Sequence, residues 1–177
     1  MQKAASPNIK KAVLKYLKEH YTMTMATATG ETPWAAALFY ANDGFTLYFL
    51  SDPDSRHSKD IAGNPVVAVT VNEDCHDWRK IKGIQMEGKA ELVATDDEMT
   101  RAVAAYVNKY SFTAGYLKLM STSFPRIAGQ LDKLLGKLPF VPGLPKTFTA
   151  RFYKFTPTKV RFIDNEKSFA HHEEFTV

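Results

Sequence analysis

Cysteine is all but missing from this chain. Cys75 is the only one in 177 residues, so no internal disulfide can form, and a reducing cytoplasm is the natural compartment to expect. No apolar run approaches membrane-spanning length, and Lys3, Lys10 and Lys11 are not followed by the apolar core of a signal peptide. Neither membrane insertion nor secretion is therefore expected. The formal charge of +4 and pI near 9.0 leave room for an anionic partner, but the cations are scattered among acids and form no basic tail. Nucleic acid is accordingly not an expected partner. His and Cys show no metal-ligand spacing, so no zinc site is expected.

What is present suits one globular domain over residues 1–177, since 45% of the residues are hydrophobic and the length is too short for two comfortable cores. Pro7 opens an amphipathic helix to about His20, with Ile9, Val13, Tyr16 and Leu17 at helical spacing. Alternating segments then follow at Tyr21 to Thr27, Pro33 to Tyr40, Phe45 to Leu50 and Val66 to Asn72, and a longer one runs from Ile81 to Val93. Short turns such as Asn42-Asp43-Gly44 make consecutive strands antiparallel, and such a meander closes most simply into a small barrel. Gly83 and Gly88 mark bulges or close backbone approach, and Trp78 is expected to be buried, the alternative being that it covers a cofactor. Thr95 and Glu98 form a capping box for a helix to about Lys109. A further helical excursion is expected to about 137, ending in a proline-rich loop. Pro157 should break the next alternating segment, leaving Lys159 to Ile163 as the last strand and Phe169 to Phe175 as a polar surface tail.

The stretch Asp52-Pro53-Asp54-Ser55-Arg56-His57-Ser58-Lys59 carries the most chemistry. Pro53 suits a first helical position, which places Ser55, Arg56, His57 and Lys59 near a helix N-terminus. Free backbone N–H groups, a hydroxyl and a guanidinium at the positive end of the helix dipole fit a phosphate. The same spacing also reads as ordinary i,i+4 surface pairs, Asp52 with Arg56 and Arg56 with Asp60. Two further features invite a ligand. Ala35-Ala36-Ala37 lets something flat approach the backbone, or else accommodates a bulky neighbour such as Trp34, and Gln85 can both donate and accept at a ring edge.

Strand, Ser-Arg-x-x-Lys turn, Asn-Pro, apolar strand and then Gly83-Ile84-Gln85-Met86-Glu87-Gly88 come in an order that resembles the pyridoxamine phosphate oxidase-like family of FMN-binding split barrels. The resemblance runs from about Val13 to Ala94 and again from Phe148 to Asp164. It implies a mainly β fold: an antiparallel six- to seven-stranded split β-barrel with an N-terminal helix and a helical insertion at about 96–137. It also implies a homodimer that binds FMN where two barrels meet. The cofactor contacts carried over are Ala36, Ala37, Leu38, Leu50, Ser51, Ser55, Arg56, His57, Lys59 and Gln85. Flavin-mediated hydride or electron transfer would follow, with no catalytic acid or base nominated. Two departures limit the analogy. Ala35 and Tyr40 stand where the oxidases proper carry basic residues, and the Arg-x-His pattern of pyridoxamine phosphate oxidation is missing, so that reaction is not expected. The competing readings are a haem-binding or haem-degrading member with His171 or His172 as ligand, and a non-catalytic flavin-binding module.

Overall fold

Every third or fourth residue of the first helix meets the barrel. In the computed structural model, which describes residues 7–110 and 149–177, α1 (Pro7–Glu19) buries Ile9, Val13, Tyr16 and Leu17. Burying a side chain of this size contributes roughly 1.5–3 kcal/mol, so the stripe fixes the helix on the barrel. Tyr16 adds direction by donating to the Lys82 carbonyl at 3.0 Å.

The strands are β1 (Thr22–Thr29), β2 (Thr32–Asp43), β3 (Thr46–Ser51), β4 (Val66–Asn72), β5 (Lys82–Leu92), β6 (Arg151–Asp164) and β7 (His172–Thr176). They form one antiparallel sheet in the order β3-β2-β1-β4-β5-β6-β7, and pairing of β3 with β6 closes the first six into a barrel. Alternation along β1 sends Met23, Met25 and Thr27 inward and Thr22 and Thr24 outward. Met23, Met25, Tyr40, Leu47, Phe49, Val69, Ile84 and Phe155 fill the barrel. A second core forms where α3 (Asp96–Lys109), capped by Thr95 as its sequence requires, lays Met99, Ala102, Val103 and Tyr106 over Ala41, Tyr48 and Phe152. The helical region expected from 111 to 137 and the proline-rich loop lie outside the described residues.

Three expectations are corrected. Pro157 does not end a strand: β6 runs unbroken for 14 residues, with a register shift at Glu87/Gly88 that leaves Thr158 as the extra residue. Pro157 falls between the last β3 pairing, at Phe155, and the first β7 pairing, at Lys159, where β6 has a neighbour on one side only. Its missing N–H is tolerated at such a place. The tail is also structural, because β7 adds to β6 and inserts Phe175, only 3% exposed, edge-on against Phe45. Trp78, expected inside, lies 58% exposed in the 3-10 turn Trp78–Lys80, with Phe169 edge-on to it.

Candidate functional site

The loop after β3 is built by local hydrogen bonds. The Asp54 N–H donates to Asp52 Oδ1 at 2.8 Å and the Ser55 N–H to the Asp52 carbonyl at 3.0 Å, which folds Asp52-Pro53-Asp54 into a turn. Pro53 therefore sits in that turn and not at the first helical position. The helix α2 (Arg56–Gly63) starts after Ser55, whose extended backbone and hydroxyl, accepting from the Ser58 N–H, make it the N-cap. Asp60 ties α2 to the barrel by accepting from Thr27 at 2.7 Å and from Thr29. The Thr29 and Thr27 hydroxyls hold its carboxyl below the usual range, so it stays ionised.

Three hydroxyls and an imidazole converge at this N-terminus. Ser51 Oγ lies 2.6 Å from His57 Nε2 and 3.1 Å from Ser55 Oγ, while Ser55 donates to Ser58 Oγ at 2.8 Å and Ser58 to Ser51 Oγ at 3.1 Å. Burial pushes His57 below its ordinary pKa, so its ring is neutral at pH 7. Arg56 stands at the edge of the cluster with its guanidinium 4.4 Å above the Trp34 ring and 4.0 Å from Asp60. The other surface pairing weighed for Arg56, with Asp52, is not made; Asp52 takes the Thr149 hydroxyl instead. Lys59 is exposed and pairs with Asp54 at 3.2 Å, away from the hydroxyls.

The alanine strand sorts by face. Ala36 and Leu38 stand opposite Met25 and Met23 and turn inward, whereas Ala37 faces out. Register places Ala37, Thr24, Thr70, Gln85, Arg161 and Glu174 in one row across six strands. Ala35, Ala26, Ala68 and Glu87 form the row beside it. The outer face thus carries small side chains on β2, β1 and β4 and polar ones on β5 to β7. Glu174 there receives Lys159 at 2.6 Å and Arg161 at 2.9 Å. Leu50 turns away into the α3 core.

The structure therefore brings Ser51, Ser55 and His57 together, sets Arg56 beside them, and puts Ala37 and Gln85 on a shared face. It separates Lys59, Leu50 and the inward-turned Ala36 and Leu38 from both groups. Sequence reasoning missed Ser58 and the Trp34 platform. The spacing Ser51, Ser55, Ser58 was the available signal for the first, and nothing local announced the second. His171 and His172 begin β7. His171 Nε2 is shielded and makes no hydrogen bond, with Glu173 3.5 Å away, and His172 faces the Ala170 carbonyl at 3.1 Å. Among the described residues no group of three His, Cys, Asp or Glu side chains is placed to hold a metal ion, and no helix is long and apolar enough to cross a membrane.

A closed antiparallel barrel with a serine-rich turn at one strand end and a small-residue outer face defines a split-barrel protein. The family model for pyridoxamine 5'-phosphate oxidase matches residues 9–164, and the chain belongs to that family. A UPF0306 protein of Photorhabdus laumondii is 33% identical over 91 residues, covering 50% of this chain and 64% of that relative. The chain thus spans just under two thirds of the length of that curated relative. Among solved structures, a heme binding protein from Mycobacterium smegmatis superposes with a TM-score of 0.67 at 15% identity, covering 98% of this chain and 60% of that one. The General Stress Protein 26 of Bacillus anthracis gives 0.58 at 19% identity, covering 96% and 99%. At such identities the likeness is one of fold.

Proposed function

We propose that this chain is an FMN-binding protein and serves flavin-dependent oxidation and reduction. The observation that carries the reading is the hydroxyl cluster of Ser51, Ser55 and Ser58 at the N-terminus of α2, with Arg56 beside it. The hydroxyls, the first free N–H groups of α2 and the guanidinium can all donate to phosphate oxygens, and the helix dipole favours the charge. Neutral His57 leaves the positive charge here to Arg56 and the helix terminus, and orders Ser51. Trp34, which carries Arg56, immediately precedes Ala35 on β2, so the turn lies at the end of the strand whose Ala35 and Ala37 face outward. There the small side chains of Ala37, Thr24 and Thr70 leave room for a flat ring, and the Gln85 amide can donate and accept at its edge. The bound flavin would supply the redox chemistry, while these residues bind and orient it. Lys59 is outside this set and contributes only its charge.

The flavin reading also calls for a second copy of the chain. Phe39 and Val66 are 62% and 59% exposed on that face beside the alanines, a surface that a partner copy would cover.

FMN and riboflavin differ only in the phosphate, which makes them the test. A hydrogen bond to a charged group contributes roughly 1.5–3 kcal/mol, so Arg56→Ala should weaken FMN by about 10- to 100-fold in isothermal titration and leave riboflavin nearly unchanged. Equal loss of both ligands would make Arg56 structural, and loss of neither would remove the turn from the phosphate site. The absorbance of protein purified from cells decides between cofactors. Flavin bands support the proposal. A Soret band, abolished when His171 and His172 are both replaced by Ala, would transfer the site to haem, a reading that rests on the shielded, unbonded His171 Nε2.

A further inference from the structure

A cavity of about 660 Å³ lies between the last turn of α1, the β2–β3 turn and α3, at the opposite end of β3 from the hydroxyl cluster. Its volume is in the range of small-molecule sites. Lys18, Arg101 and Lys109 line it against a single acid, Asp43, and the Tyr21 ring forms part of its wall. Some cations elsewhere are neutralised, as Lys154 is by Glu91 and Glu98 and Lys82 by Glu166 and Asp164. Here Lys18 and Arg101 are exposed and form no ion pair or hydrogen bond among the described residues.

Lys109 is held differently. Its ammonium donates to the Leu17 carbonyl at 2.8 Å and sits 3.8 Å above the Tyr40 ring and 5.6 Å from that of Tyr21. A cation at the C-terminus of α1 is favourable on its own account, and this explains Lys109 without any ligand. It does not explain why two more cations, Lys18 and Arg101, converge on the same cavity with no carboxylate in ion-pair contact among the described residues, Glu98 feeling Arg101 only at longer range.

We propose that this cavity is a second binding site, for a small organic anion whose phosphate or carboxylate meets Arg101, Lys18 and Lys109 and whose flat apolar part lies on Tyr21. The α3 face involved, with Arg101 and Asn108, is not the face that packs Met99, Val103 and Tyr106 on the barrel, so occupation requires no repacking of the core. The hydroxyl cluster is separated from it by the length of β3, roughly 17 Å for six residues, so the two sites are independent.

Phenyl phosphate is the probe, with inorganic phosphate and benzoate as the arms that remove the ring and exchange the anion. Titrations at pH 7 and constant ionic strength are followed by ¹H–¹⁵N NMR. Saturable shifts are expected at Gly44, Asn108 and Lys109, with phenyl phosphate tighter than inorganic phosphate, and a benzoate response of the same pattern would extend the site to carboxylates. Arg101→Gln and Lys18→Gln should each weaken phenyl phosphate about tenfold, one charge-assisted contact, with an unchanged melting temperature. Arg56→Ala should leave the titration intact. Shifts confined to residues 55–58, binding lost in Arg56→Ala, or wild-type affinity in both glutamine variants would each overturn the proposal.

Discussion

Lys109 shows how one buried cation couples stability to pH. Burial lowers its pKa from 10.5 to about 8, so between those values the folded chain holds fewer protons than the unfolded one. Stability from this group is complete above pH 10.5 and is lost as pH falls through about 8. Tyrosines act in the opposite sense. Burial pushes Tyr16 and Tyr110 up to about 12 and Tyr40 upward too, so above pH 10 the unfolded chain loses protons that the folded one keeps. Urea midpoints should therefore rise from pH 8 to about 10 and fall beyond it. In Lys109→Met the rise should vanish and the fall remain. A rise that persists in the variant would assign it to another group. Of the residues in the candidate site, Ser55 was legible as lying near a helix N-terminus, but not as the cap itself, because Pro53 offered a competing local start that the Asp52 turn takes up instead. Arg56 was legible only as a charge, since its resting place on Trp34 depends on β2 and α2 meeting in space.

Elements were read well where one face is buried and the period is regular. The stripe of α1, the capping box of α3 and the alternation of β1, β4 and β5 all express burial in their spacing. Misreadings came where tertiary pairing overrides a local signal. Pro157 breaks a strand in isolation, yet here it sits where β6 lacks a neighbour on one side, and a bulge at Thr158 absorbs the register. β7 is short and mostly polar, and only Phe175 ties it to the core. The bulge also explains Gly88. A Cβ there would lie 2.2 Å from the Thr156 carbonyl oxygen and 2.8 Å from Pro157 Cα, both backbone atoms that cannot swing aside. Gly88→Ala should destabilise the chain by about 1–3 kcal/mol, as overpacking does, measured by equilibrium urea unfolding. A change under a few tenths of a kcal/mol would mean that β6 shifts freely at this point.

At the scale of the whole molecule, closure of the barrel followed from short antiparallel connections, but the use of its outer face did not. No spacing rule says that rows of Ala and Thr across three strands will be left uncovered beside exposed Phe39 and Val66. The proposed second copy is tested by light scattering. The chain should run at twice its 19.9 kDa, and Ala37→Glu, which plants a charge in the middle of the face, should shift it toward monomer and weaken FMN in parallel. A monomer that binds FMN fully would separate the cofactor from dimer formation.

The β3–β6 seam sets the order in which this protein can be made. Leu47 faces Phe155 across roughly a hundred residues of chain, so closure is a late, long-range event whose entropic cost rises with loop length. Until Arg151 to Phe155 have left the ribosome, β3 and β5 each present an unpaired edge able to capture another nascent strand. Synthesis therefore passes through a stage in which five strands are complete and the barrel is open, and chaperone demand should be concentrated there.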